Sequence, residues 1–216
     1  MKGLKCYLAY TPRLYKIIVM VLLPALVLAL ECLNIITDKV ALFVLLSSGV
    51  VFYECMADCW HLGGLHSKEY VGLRVIQSSE RGLTFSKKVV LWDCLRKYAY
   101  MAIFVVVDLL ILLLSSGAEA VANHAQVVWY SYWASTAVLM LFTFISRFVC
   151  NITGVFFFSY LASVVVAVGY APILAGSGYG AVWMLAMWGA PIVSMGFASL
   201  LVLVGCKKME GSYYDS

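Results

Sequence analysis

Residues 148–206 read FVCNITGVFFFSYLASVVVAVGYAPILAGSGYGAVWMLAMWGAPIVSMGFASLLVLVGC, a run of 59 residues without one charged side chain. A helix rises about 1.5 Å per residue and a bilayer core is about 30 Å thick, so one crossing takes roughly 20 residues. The run is too long for one crossing and fits two with a connection between them. Pro172, Gly176, Gly178 and Gly180 place that connection near 170–180, because Pro and Gly interrupt helices. Unpaired backbone cannot face hydrocarbon. The expectation is a re-entrant connection on the outer side between a span at 148–170 and a span at 181–206, with Pro191 as a second irregularity.

Working outward from this run, four more apolar blocks of spanning length lie upstream: 17–36, interrupted by Glu31; 40–60; 98–114, holding Asp108; and 127–145, free of charge. The whole chain of 216 residues is 64% hydrophobic and 12% charged, with a mean hydropathy of +0.95. A soluble domain carries about 25% charged residues, so this chain has too little charge to coat a globule in water. The fold class expected is an all-α polytopic membrane protein with about six transmembrane helices, forming a single transmembrane domain over 1–216. Met1-Lys2-Gly3-Leu4-Lys5 and the Glu31-Cys32 that follows the first apolar block do not read as a cleavable signal. The seven cysteines are scattered through or beside apolar stretches, which argues against a disulfide framework.

Basic residues orient the spans. With the N-terminus inside, Lys2, Lys5, Arg13, Lys16, seven basic residues of the 61–97 loop, Arg147, Lys207 and Lys208 all fall on the inner side: 14 of 15, with only Lys39 outside. Both termini are therefore expected in the cytoplasm of a cell-membrane protein, and the net charge of +4 reflects topology rather than a nucleic-acid partner. Two segments read as interfacial. Residues 1–16 form an amphipathic elbow, with Leu4, Tyr7 and Leu8 on one face and Pro12 as its stop. Ahead of the third span, Val90, Leu91, Cys94, Leu95 and Tyr98 make an apolar stripe and Asp93, Arg96 and Lys97 a polar one, with Trp92 near the headgroups.

The cytoplasmic loop 61–97 carries the most information. Lys68 to Ile76 fits a two-turn helix bounded by Ser67 and by the turn Ser78-Ser79-Glu80-Arg81-Gly82, a form suited to docking in a groove on a soluble partner; the plainer reading is a solvated, membrane-hugging linker. The stretch Val75-Ile76-Gln77-Ser78-Ser79-Glu80-Arg81-Gly82, followed by Lys87-Lys88-Val89-Val90-Leu91-Trp92-Asp93, resembles the loop after the second span in small Gram-positive permeases. The order of features is similar to the six-span type-2 permeases of ATP-binding-cassette exporters, those exporting phenol-soluble modulins and related amphipathic peptides in particular. That resemblance implies a transmembrane subunit moving a hydrophobic or amphipathic substrate out of the cell. It implies a cytoplasmic coupling helix between the second and third spans, with Lys68, Glu69, Tyr70, Arg74, Ser78, Ser79 and Arg81 as the ATPase-coupling residues. The implied partners are a separate ATPase subunit, a second copy of the permease or a homologue, and the bilayer; ATP and Mg would sit on the ATPase subunit and no cofactor on this chain.

No catalytic residue is assigned. The phosphate-binding pattern G-x-x-x-x-G-K-[ST] does not occur, so ATP hydrolysis is not expected of this chain. Ser177 lies between glycines, but no histidine outside the cytoplasmic loop other than His124 could serve it as a base. Cys55, Cys59, His61 and His66 cluster near the end of the second span without a C-x-x-C or H-x-x-x-H pair, so no metal site is assigned. Glu31 and Asp108 are acids inside apolar spans, and such groups face a pathway, reach the headgroups or pair; they are the candidates for a translocation path. Glu54 and Asp58 share a helical face near a helix C-terminus, where acids repel each other and oppose the dipole, so they are expected to pair with bases of the elbow or of the long loop. Two other functions share this topology: the substrate-binding membrane subunit of a vitamin importer, and a non-transport immunity or assembly protein.

Overall fold

The computed structural model describes residues 2–37, 40–62, 76, 78–148, 161, 164 and 181–212, and every described element is helical. Helix α1 (Lys2–Tyr10) ends just before Pro12, as the elbow reading expects. Helix α2 (Arg13–Ile17) passes through a π-helical turn (Ile18–Leu22) into α3 (Leu23–Thr37). The widened turn lies directly before Pro24, which has no N–H to give to the carbonyl of residue 20 and whose ring crowds it. Tyr100 donates its hydroxyl to the Met20 carbonyl at 2.7 Å, so the irregularity is tied to a helix from a distant part of the chain.

Helix α4 (Val40–Leu62) covers the expected second span. Helix α5 (Gly82–Phe148) begins at Gly82, so residues 82–97, expected as the end of the loop with an interfacial helix ahead of the third span, are helical and continuous with 98–114. Gly117 interrupts α5 at φ 79°, ψ −176°. Contacts on either side of it show that the two limbs fold back on each other. Tyr132 donates to Asp108 at 2.6 Å, the Phe104 and Tyr132 rings lie 5.5 Å apart, and Lys97 Nζ donates to Thr143 at 3.0 Å. Helix α6 (Ala181–Ser212) contains Pro191 without a break in its assignment. The expected coupling helix except Ile76, the span at 148–170 except Phe148, Leu161 and Val164, and the 170–180 connection lie outside the described residues.

Only glycine adopts the Gly117 backbone comfortably, since a Cβ at this φ and ψ meets its own carbonyls. A Cβ built there has nothing else within 4 Å, so the effect of substitution is pure backbone strain. Gly117→Ala should lower stability by about 1–3 kcal/mol, read as an earlier unfolding midpoint of the detergent-solubilised protein. An unchanged midpoint would mean that the hairpin turns elsewhere.

The main core joins Val27 of α3, Val51 and Cys55 of α4, Met101, Phe104 and Leu112 of the first limb of α5, and Val128, Leu139 and Phe142 of the second. A second cluster places Ala198, Val202 and Cys206 of α6 against Val90, Cys94 and Met140, and Tyr98 hydrogen-bonds Ser199 across the same interface. Outside these clusters large apolar side chains face outward: Leu14, Val21, Leu26, Val106, Leu114, Val193 and Phe197 are each more than half exposed. Two helices, Arg13–Leu30 and Gly82–Ser115, are long and apolar enough to cross a membrane, and a shorter apolar stretch follows at Ile192–Lys207.

Candidate functional site: a buried ionic cluster under the elbow

The sequence places three acids and two bases where three helices meet. On α4, Glu54 and Asp58 are four residues apart and so face the same way. On α5, Asp93, Arg96 and Lys97 occupy one face by the same spacing. Five charges therefore oppose each other across the α4–α5 contact, and all are buried: Asp93 is 0% exposed, Lys97 1%, Glu54 and Asp58 3% each, Arg96 8%.

Arg96 makes a two-pronged contact with Glu54, Nη1 to Oε1 at 2.9 Å and Nη2 to Oε2 at 2.6 Å. This parallel fork is the strongest geometry open to the pair. Its remaining reach is also occupied, with Nε 3.3 Å from Asp93 Oδ1 and Nη2 3.2 Å from the Tyr15 hydroxyl. Its guanidinium carbon lies 5.2 Å from the centre of the Tyr100 ring, within cation–π range. Lys97 donates to Asp58 Oδ2 and to Thr143 Oγ1, the latter at 3.0 Å, and its ammonium is ion-paired with Asp93 Oδ2 at 3.0 Å. Buried charges persist only when paired and hydrogen-bonded in this way.

The elbow closes the cluster. Tyr7 of α1 donates its phenol to Asp93 Oδ1 at 2.8 Å. Burial, and after it the neighbouring Asp93 carboxylate, push the Tyr7 phenol far above its ordinary range, so it remains a donor at every physiological pH. His61, 3% exposed at the end of α4, stacks on Tyr15 with ring centres 4.2 Å apart and meets Tyr7 and Tyr10 edge-on at 5.6 and 5.3 Å. Trp92 covers Gly3 so closely that a Cβ there would strike the indole, which is why the elbow carries glycine at this position.

The structure thus supplies the expected bases for Glu54 and Asp58: Arg96 and Lys97, from the end of the 61–97 segment. Both stripes of that segment are buried in part: Asp93, Arg96 and Lys97 point into the cluster, Val90 and Cys94 pack against α6, and Leu91 and Leu95 are 40% and 51% exposed. On the elbow, Tyr7 is buried while Leu4 and Leu8 lie outside at 40% and 38%. When the surroundings are apolar, a polar stripe is the face that must be hidden.

Among the expected coupling residues, Lys68, Glu69, Tyr70 and Arg74 lie outside the described residues. Ser78, Ser79 and Arg81 are exposed in the turn that opens α5, where Gly82 N–H bonds Ser79 O at 2.9 Å and Phe85 N–H bonds Arg81 O at 2.9 Å. The side chain of Glu31 lies outside the described set. Asp108 is 0% exposed and accepts the Tyr132 hydroxyl inside the hairpin. Cys55 packs in the main core while His61 joins the elbow tyrosines, and among the described residues no group of three or more His, Cys, Asp or Glu converges on a metal-sized site. The tyrosine setting of His61 was not anticipated; the signal available was Tyr7, Tyr10 and Tyr15 within one short basic segment. No family model, no curated protein and no solved structure matches this chain.

Proposed function

We propose that this chain is the membrane-spanning subunit of an ATP-binding-cassette exporter of the small type-2 kind, with about six crossings and both termini in the cytoplasm, powered by a separate ATPase and paired with a second copy or a homologue. The observation that carries the reading is the ionic cluster at the roots of the 63–81 loop. Glu54, Asp58 and His61 stand on the last turns before that loop, and Asp93, Arg96 and Lys97 on the helix that follows it. A push received by Lys68 to Ile76 from a closing ATPase would reach both roots as one body, since they are cross-braced by charge. From there it would pass to the elbow through Tyr7 and Tyr15 and to the hairpin through Thr143. The apolar exterior and the two helices of spanning length support the membrane setting. Glu31 and Asp108 are the path residues under this reading, serving a hydrophobic or amphipathic substrate, peptides being the class that the resemblance implies.

The test is gentle extraction of the full-length chain from its native membrane. A protein carrying the G-x-x-x-x-G-K-[ST] pattern should be retained in constant proportion, and Glu69→Lys, Arg74→Glu or Arg81→Glu should each reduce that retention about tenfold, the loss expected when a charged contact worth about 1.4 kcal/mol is removed at an interface. Retention of a small vitamin in place of an ATPase would overturn the exporter reading in favour of an importer subunit. An extract with no stable soluble partner would point to a non-transport role.

A further inference from the structure

The first 30 residues hold Lys2, Lys5, Arg13 and Lys16 and not one Asp or Glu. The acids of the helices packed against this segment, Glu54, Asp58 and Asp93, are buried and already paired with Arg96 and Lys97. Among the described side chains the one exposed acid is Glu80, in the turn ahead of α5. Hiding three acids inside therefore leaves Lys5, Arg13 and Lys16 without an ion-pair partner among the described residues.

The inward side of the elbow fixes which way the rest of it faces. Gly3, Tyr7 and Tyr10 recur at helical spacing and meet Trp92, Asp93 and Phe85 of α5. Farther on, the Tyr15 hydroxyl meets Arg96. What remains is turned away from the bundle: Leu4 and Leu8, 40% and 38% exposed, with Lys5 exposed between them. Past Pro12 the alternation continues, with Arg13 exposed beside Leu14 at 62% and Ile17 at 55%. Such a face fits neither water nor hydrocarbon alone. Its leucines favour acyl chains, its cations favour an anion, and an anionic phospholipid supplies both. A zwitterionic lipid supplies the chains but brings a cation of its own to compete for the phosphate.

We propose that the outward face of the elbow, formed by Leu4, Lys5, Leu8, Arg13 and Leu14, is a docking surface for anionic phospholipid of the inner leaflet. Lys5 and Arg13 take the headgroup phosphates, and the leucines lie against the acyl chains. Because Tyr7 and Tyr15 tie the same segment to Asp93 and Arg96, lipid that holds the elbow in place also stabilises the ionic cluster beneath it. Such docking rests on the membrane setting of the proposed function; it needs neither the ATPase nor a direction of transport.

The test takes the full-length protein in detergent and titrates it with dioleoyl-phosphatidylglycerol or dioleoyl-phosphatidylcholine, following the first bound lipid by native mass spectrometry. Phosphatidylglycerol should bind about tenfold tighter or better, and Lys5→Gln and Arg13→Gln should each weaken it about fivefold, the share of one base at a charged membrane surface. Both side chains are exposed, so neither variant disturbs the fold, and neither should alter phosphatidylcholine binding. Lys207→Gln, exposed near the end of α6, controls for surface charge in general and should change nothing. Saturating phosphatidylglycerol should also raise the unfolding midpoint of the parent, and not that of the Lys5→Gln, Arg13→Gln double variant. Equal affinity for the two lipids, a midpoint indifferent to phosphatidylglycerol, or a loss in Lys207→Gln as large as in the elbow variants would overturn the proposal. Failure of the membrane setting itself reads differently: the chain would bind neither lipid and stay dispersed once detergent is removed.

Discussion

Arg96→Met should destabilise the protein by about 3–5 kcal/mol, the cost of removing one member of a buried ion pair. Arg96 is the common partner of Glu54, Asp93 and Tyr15, so its loss strands two carboxylates at once in a place without water. The cost comes from what is left behind. The pair itself contributes little net, because desolvating both ions offsets most of their attraction. It follows that Glu54→Leu combined with Arg96→Met should recover much of the loss, since the apolar pair leaves Asp93 with Lys97 and Tyr7 as partners. Unfolding midpoints of the two singles and the double in detergent measure this as a cycle. If the double is as unstable as the sum of the singles, Arg96 and Glu54 do not act on one another.

Lys97→Met should cost a similar amount at neutral pH and markedly less in acid. Lys97 lies between Asp58 and Asp93 and is itself 1% exposed, so the methionine fits the volume but leaves two carboxylates facing each other. Acid offers an escape, because protonating one of them abolishes the repulsion and lets it donate to the other. The stability difference from the parent protein should therefore shrink as pH falls from 8 to 5 and grow as it rises. The sign distinguishes electrostatics from packing: a cavity or a clash would cost the same at every pH. A pH-independent loss would remove Lys97 from the ionic account.

The helical character of the described residues and the end of the elbow at Pro12 were legible because hydrophobic blocks and proline act locally. The need of Glu54 and Asp58 for bases was legible as well, from two acids on one face near a helix C-terminus. The direction in which Asp93, Arg96 and Lys97 point was not. A stripe of charge beside a stripe of Leu and Val has the same periodicity in water and in lipid, and the medium decides which stripe is hidden. Val90 and Cys94 of the one stripe and Asp93, Arg96 and Lys97 of the other are all buried, each set against a different neighbour. The fold-back at Gly117 was equally hidden: Ser115-Ser116-Gly117 marks an interruption between two apolar blocks, but a positive φ is set by where the limbs pack. His61 shows a different limit. Its three tyrosines lie some fifty residues upstream, and no local pattern links a histidine at one helix end to a distant aromatic segment.

Under the proposed function the apolar exterior is set in hydrocarbon and the chain crosses the bilayer an even number of times. Epitope tags at the N-terminus, after Lys39, within 68–74 and at the C-terminus, probed in sealed vesicles before and after permeabilisation, measure this most directly. Three tags on the cytoplasmic face with the Lys39 tag alone on the other is the predicted result. Termini on opposite faces, or a chain recovered as a dispersed monomer in buffer without detergent, would contradict it.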